Sequence, residues 1–536
     1  MLKNLTDTAR PHLVFLILVL LTVVPAAAQT PATASRVTVS DNLRAPASGK
    51  ALADLQSEIR ARLLRPELNR GQVGVKIVSL NTGKVLFEEN AEKYFMPASN
   101  MKNFTVAAAL EKLTPDFRFV TSVYAPSMPD ASGTIKGDLR VFGRGDVSIS
   151  TAFSESNYYK GLDELADKIA AAGVKRIEGS IIGDDSYFKG GAIPSSWEWD
   201  DLQWYYGAEV SALPLNDNAV DLTVTPGPEG YSCLVKITPY NPVYQVKNGC
   251  RTTAAGTPRT LKIEKLLGQN MLEITGTLPR GNAGFSGSVT VTRPAKLFAA
   301  LLKQRLELKG ITVTGRFEAQ KAANGHLVAP EGVEIAKLES PPLALIAAKT
   351  MKPSQNMYTE TLLWTLGEDA RNRWIQSGPD GVAVDDPFTN KESAELGIQV
   401  VKEFLAKVGI DPDAVVQYDG SGLSRHNLIT PSAVVKLYTY MAKQSKYAQA
   451  WRDSLTIGGV DGTLRNRFKG TAAEGNMRGK TGTIDQVSAL SGYVTTASGE
   501  ELVVSFLVNG VRTTRDRTSM MDDIVVALAK FDGKID

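Results

Sequence analysis

Three short stretches carry residue types that could act together on a carbonyl group: Ser99-Asn100-Met101-Lys102, Ser354-Gln355-Asn356 and Lys480-Thr481-Gly482-Thr483. A serine hydroxyl is a poor nucleophile until a neighbouring base takes its proton. Three positions apart on a helix, Ser99 and Lys102 share one face. Lysine can serve as the base once its pKa falls, which desolvation and a second cation achieve; Lys480 is the expected second cation. Pro97 precedes the helix, so Ser99 lies in its first turn, where the partial positive charge favours an alkoxide and then an oxyanion. The backbone N–H groups of Ser99 and Thr483 are expected to form the oxyanion hole. On an edge strand, Gly482 would let substrate lie against the backbone, while Thr481, Thr483 and Lys480 hold a carboxylate. Each stretch alone has a plain alternative: a capped surface helix, a Pro-Ser helix start, a turn with a solvated lysine.

The only histidines are His12, His326 and His426, too few for a His-ligated metal centre, so neither metal nor cofactor is expected. Cys233 and Cys250 are the only cysteines. In an exported chain a close pair reads as a disulfide, since zinc needs more ligands. Closing that loop is worth about 3 kcal/mol in the chain-entropy model. Export itself is read from residues 1–28: Lys3 and Arg10, an apolar run over 13–24 broken only by Thr22, then Pro25-Ala26-Ala27-Ala28. That run is shorter than the roughly 20 residues a span needs, so a cleaved signal is favoured over an anchor. Sixty Lys+Arg against 57 Asp+Glu, a net charge of +3, exclude a nucleic-acid partner.

Stepping outward, 536 residues suggest two to four units at roughly 100–200 residues each. Residues 29–50, rich in Ala, Thr, Ser and Pro, read as a flexible leader. Periodicity predicts a helix over 51–64, a hairpin over 71–89 turning at Asn81-Thr82-Gly83-Lys84, and a helix from 98 to about 113. From about 119 to 315 the texture is of short β-branched runs, interrupted by helices near 161–172 and 295–308. Helices follow near 342–366, with Ser354 and Asn356 in a helix–loop–helix stretch, and near 391–408 and 431–444. Lys480-Thr481-Gly482-Thr483 precedes a plausible strand over 484–494; strands are expected at 489–495 and 502–508, and a last helix near 519–531.

The three stretches, in order, match the S-x-x-K, S-x-N and K-T-G set of penicillin-recognising serine enzymes. In that chemistry the second serine relays a proton to the leaving amine, and the Asn amide bonds the substrate's peptide carbonyl. Further segments extend the match: Gly143-Arg144-Gly145-Asp146, Gly183-Asp184-Asp185-Ser186, Gly207-Ala208-Glu209-Val210-Ser211-Ala212-Leu213, Asp419-Gly420-Ser421-Gly422-Leu423-Ser424 and Asp461-Gly462-Thr463-Leu464. On these the chain resembles the D-alanyl-D-alanine carboxypeptidase/endopeptidase family typified by penicillin-binding protein 4. The long interval between Ser99 and Ser354 fits that family's large insertions, and Gln355 departs tolerably from S-D-N.

The resemblance implies an α/β (α+β) fold. A β-lactamase/transpeptidase-like catalytic domain, an antiparallel sheet flanked by helices, would occupy 51–119 and 337–536. An inserted domain would take 120–210 and 291–336, with a nested β-rich domain at 211–290. It implies catalytic roles for Ser99, Lys102, Ser354, Asn356 and Lys480, and substrate binding by Thr481, Gly482 and Thr483. It also implies a subsite of Trp197, Asp200 and Tyr205 for the amino group of the stem peptide's diamino acid, although an acidic aromatic cluster is more often core or hinge. Ser424-Arg425-His426 reads as structural or as cleft rim. The implied partners are peptidoglycan stem peptides and β-lactams, with no membrane span after signal cleavage, a periplasmic location and oligomerisation left open. Two other readings are weighed. A β-lactamase or esterase would lack the insert, and neither an E-x-x-L-N-like segment after Asn356 nor a Tyr with Asn two residues on is present. A non-catalytic wall-binding protein would not need Ser99, Lys102 and Lys480.

Overall fold

Apolar runs near both chain ends are brought together in one sheet. The computed structural model describes residues 51–320, 331–377, 388 and 390–535; the expected signal and leader, and His326, lie outside these. Strands β1 (Gln72–Ser79) and β2 (Val85–Glu89) form the expected hairpin. The C-terminal part adds β3 (Thr456–Ile457), β4 (Arg478–Ile484), β5 (Val487–Thr495) and β6 (Glu501–Asn509). Every pairing is antiparallel, in the order β2-β1-β6-β5-β4-β3.

Both faces of this sheet are buried, which is why β6 reads as an almost unbroken apolar run rather than an alternation. Val503 and Leu507 join one core with Ala489, Tyr493, Phe104, Tyr438 and Met351. Leu502, Val504 and Phe506 join the other, with Leu55, Ile59, Met520, Ile524 and Leu528. Helices Leu52–Leu63 and Thr514–Ala529 therefore cover one face. Helices α1 (Lys102–Leu113), α2 (Asn356–Ser377) and Pro431–Lys443 contribute to the core on the other.

Three local details differ from the sequence reading. Lys480-Thr481-Gly482 lies inside its own strand, not ahead of one, and a turn at Asp485-Gln486 splits it from β5. Gln486, the second loop residue, adopts a φ of 61°, a left-handed state with no Gly or Asn to advertise it. The helix–loop–helix expected near 342–366 is present, as Leu343–Met351 and α2. The last helix begins at Thr514, because the Thr513 side chain caps the Asp516 N–H. Finally, 98–101 is a 3₁₀ turn leading into α1 rather than α-helix.

The insert enters on strand Val120–Ala125 and leaves on Val333–Glu339, which pair antiparallel so that Val120 faces Glu339. The expected boundary at 337 thus falls within a strand. These two belong to a five-stranded mixed sheet with Leu139–Phe142, Ile181–Asp184 and Phe317–Gln320. Nested within it, Ala219–Thr225 lies between Leu234–Thr238 and Phe285–Thr290. A smaller sheet ends on edge strand Lys262–Lys265. Cys233 and Cys250 form a disulfide across this nested part. A single apolar core serves the insert, while Val147, Phe188, Ala208, Val210 and Ala212 pack into the core under the main sheet. The described residues form one compact unit. Among them no helix is long and apolar enough to cross a membrane.

Candidate active site

The turn Ala98–Met101 carries Ser99 and is held on two sides by glycines. A Cβ on Gly482 would lie 2.6 Å from the Pro97 carbonyl and 3.1 Å from the Ser99 nitrogen. On Gly422, whose φ is +81°, it would lie 1.9 Å from the Ala98 carbonyl. Gly482 therefore admits the Ser99 turn against β4, a closer constraint than the expected one of admitting substrate. Ala98 itself has φ 45° and Ser354 φ 68°, the kind of backbone strain that gathers at functional sites. Asn100, the second residue of S-x-x-K, fastens the turn: its amide donates to the Lys480 carbonyl at 3.0 Å and its oxygen accepts from Ser491 Oγ at 2.6 Å.

Lys102 is fully buried. Its Nζ lies 3.0 Å from Ser99 Oγ, 2.6 Å from Asn356 Oδ1 and 2.6 Å from the Ser421 carbonyl. The last two are acceptors only. A neutral amine has two N–H groups and one lone pair, so with both N–H groups donated to those oxygens the lone pair is left for Ser99 Oγ. Burial pulls Lys102 down to about 7, against the pull of Asp419 and Glu360 in the other direction. Of the two expected causes, desolvation and a second cation, burial is the one that acts at Lys102. The repulsion is instead recorded at Lys480, which burial first and Lys102 second hold well below the usual lysine range.

Lys480 Nζ donates to Ser354 Oγ and to the Thr481 carbonyl, both at 2.8 Å. Asn356 is engaged at both ends, accepting from Lys102 and donating to the Tyr206 carbonyl at 2.9 Å, so in this state it ties the insert to Lys102 rather than presenting a free amide. Gln355 Nε2 donates to half-buried Asp217 of the insert at 3.1 Å. The Thr481 hydroxyl donates to Thr463 at 2.7 Å and that of Thr483 to the Gly482 carbonyl at 2.8 Å. On the outer edge of β4, β3 pairs only with Arg478 and Gly479. Among the described residues the rest of that edge has no strand partner and can receive an extended chain.

A cavity of about 1030 Å³ opens over these groups, lined by Ser99, Ser354, Asn356, Thr481 and Thr483 and, from the insert, Asp200, Tyr205 and Lys265. Trp197 is not on this wall. Its indole is buried and donates to Asp419 Oδ2 at 2.9 Å. Arg425 does line the cavity, joining Glu198 at 3.1 Å to the Asp485 carbonyl at 3.1 Å, while the His426 ring lies against Tyr418. The motif reading missed Asn100, Thr463, Glu360 and the Ser421 carbonyl. The Gly-rich segment 419–424 was the one visible trace of the last.

The profile of the D-Ala-D-Ala carboxypeptidase 3 (S13) family matches residues 55–531. The chain belongs to this family. A D-alanyl-D-alanine carboxypeptidase of Actinomadura sp. (strain R39) is 34% identical over 91% of this chain and 87% of its own length. The D-alanyl-D-alanine carboxypeptidase DacB of Haemophilus influenzae is 26% identical over 82% and 86%. The crystal structure of penicillin binding protein 4 from Haemophilus influenzae superimposes with a TM-score of 0.72 at 23% identity, covering 89% of this chain and 98% of that one. The likeness shows a shared fold, the mixed β-lactamase/transpeptidase-like architecture described above. As an S13 member the chain is a serine-type D-Ala-D-Ala carboxypeptidase.

Proposed function

We propose that this carboxypeptidase is exported, acts on peptidoglycan stem peptides in the periplasm through a Ser99 acyl-enzyme, and is acylated by penicillins through the same serine. The observation that carries the reading is the Lys102 amine, buried 3.0 Å from Ser99 Oγ with both other neighbours acceptors. Lys102 takes the Ser99 proton as Oγ attacks the carbonyl between the two terminal D-Ala residues. The N–H groups of Ser99 and Thr483 receive the oxyanion. Ser354, bridged to Lys480, passes a proton to the leaving D-Ala amine as the C–N bond breaks, and water then hydrolyses the ester. Lys480, Thr481 and Thr483 hold the leaving residue's carboxylate, and Gly482 lets the Ser99 turn approach β4. The free edge of β4 and the open cavity also suit an internal D-Ala cross-link, so endopeptidase activity is part of the proposal. Asp200 and Tyr205 face the side chain of the diamino acid, while Trp197 is engaged with Asp419.

Benzylpenicillin is expected to add its full mass to the intact protein, because ring opening releases no fragment, and Ser99→Ala is expected to remain unlabelled. Labelling of Ser99→Ala, or an adduct on Ser354, would refute the assignment. Mass spectrometry of digested muropeptides separates loss of terminal D-Ala from cleavage of cross-links.

A further inference from the structure

Two buried carboxylates, Glu360 and Asp419, lie behind Lys102 and have no place in the reaction just described. The geometry points to Glu360 as a positioning residue for Lys102: by gripping the backbone of 420–421 it presents the Ser421 carbonyl to the Lys102 amine and so aims the amine's lone pair at Ser99.

Glu360 Oε2 accepts the Gly420 N–H at 2.9 Å and Oε1 the Ser421 N–H at 2.7 Å. The peptide unit between Gly420 and Ser421 is held at its other end as well, since Thr105 Oγ1 donates to the Gly420 carbonyl at 2.9 Å. The next unit, between Ser421 and Gly422, is held likewise. Its carbonyl accepts Lys102 Nζ at 2.6 Å and its N–H donates to Asp419 Oδ1 at 2.8 Å. Two successive peptide planes are thus fixed at both ends, and the second supplies one of the two acceptors that orient Lys102.

Burying two neighbouring carboxylates is costly unless each gains strong partners. Burial and Asp419 together push Glu360 above the usual carboxylate range, a conflict of the kind that functional sites retain. Glu360 is in the first turn and a half of α2, which begins at Asn356. One rigid element therefore carries both the amide oxygen that Lys102 meets directly and the carboxylate that places the carbonyl.

The inference rests on Lys102 acting as the base for Ser99, and the test separates the two. Glu360→Gln preserves shape but replaces one acceptor oxygen by a donor that cannot receive an N–H. Thr105→Val loosens the same peptide plane more gently, so it carries the test if Glu360→Gln does not fold. Penicillin labelling is followed in time, giving both an endpoint, which counts intact sites, and a rate. Glu360→Gln is expected to label to the wild-type endpoint with a rate lowered about 10- to 100-fold, as small misplacements of reacting groups cost. Thr105→Val is expected to lose about 2- to 10-fold, since it removes the one bond to the Gly420 carbonyl, along with one accepted from Gln417 Nε2. On a D-Ala-D-Ala peptide the loss is expected in kcat with KM unchanged, because neither residue touches substrate. A merely structural role would lower the endpoint and leave the rate of the remaining sites within about twofold of wild type, and that result overturns the proposal. Labelling of Ser99→Ala would instead overturn the underlying assignment of the nucleophile.

Discussion

At the scale of single residues, the site depends on removing water from one amine. Lys102 is held at about 7 by burial, with Asp419 and Glu360 preventing a further fall. A base acts in its neutral form, so acylation is expected to gain about tenfold per pH unit below 7 and to level off above it, rather than to rise towards the ordinary lysine value near 10.4. Acylation rates with benzylpenicillin between pH 5 and 10 check this; a limb centred near 10 would show that Lys102 is not the base. Ser99, Lys102, Ser354, Asn356 and Lys480 were legible in the sequence because their chemistry is confined to fixed short spacings. Glu360 and Ser421 were not, since a backbone carbonyl has no side-chain signature and the carboxylate that holds it is 61 positions away along the chain. Asn356 shows the same limit: the motif locates it, but only the fold reveals that both ends of its amide are engaged.

At the scale of elements, the Ser99 turn owes its position to the absence of two methyl groups. Gly422 is the more demanding, with φ +81° and a virtual Cβ 1.9 Å from a backbone carbonyl, where no flexible side chain can give way. A left-handed conformation costs a residue with Cβ roughly 1–2 kcal/mol by itself, and the overlap must be relieved by moving Ala98 and therefore Ser99. Gly422→Ala is expected to lower the melting temperature by several degrees and to slow acylation by about a hundredfold, since a displacement near 1 Å is enough for that. Unchanged acylation in a folded Gly422→Ala protein would show that the turn does not need this approach. The elements themselves were mostly legible, as the hairpin Gln72–Glu89 and the run 502–508 illustrate. What escaped was set by local chemistry without a compositional mark: the left-handed Gln486 at the turn that makes Lys480–Gly482 part of a strand of its own.

At the scale of the whole molecule, the main sheet and the turn and helices packed on it carry the candidate site groups, and the insert supplies much of the wall they face. Asn356 reaches the Tyr206 carbonyl and Gln355 reaches Asp217, while Trp197 reaches Asp419, so the insert is fastened to the S-x-N stretch and to the segment that starts at Asp419. Asp200 and Tyr205 stand on the cavity side of that attachment. If Asp200 receives the ammonium of a diamino acid, its loss removes an interaction remote from the scissile bond. A hydrogen bond to a charged group is worth roughly 1.5–3 kcal/mol, so Asp200→Asn is expected to lower kcat/KM about 10- to 150-fold on peptides bearing the free amine. The loss should be far smaller on the same peptides after acetylation, because the acetylated amine never made that bond, and acylation by simple penicillins should hardly change. Asp200 also adjoins Asp201, whose carboxyl is raised above its ordinary range by burial and then by Asp200. A role confined to bracing this acidic cluster would make Asp200→Asn equally harmful to every substrate. Measuring kcat/KM for matched free and acetylated peptides therefore decides the matter: equal losses on the two would leave Asp200 a structural residue and remove the diamino-acid subsite from the proposed function.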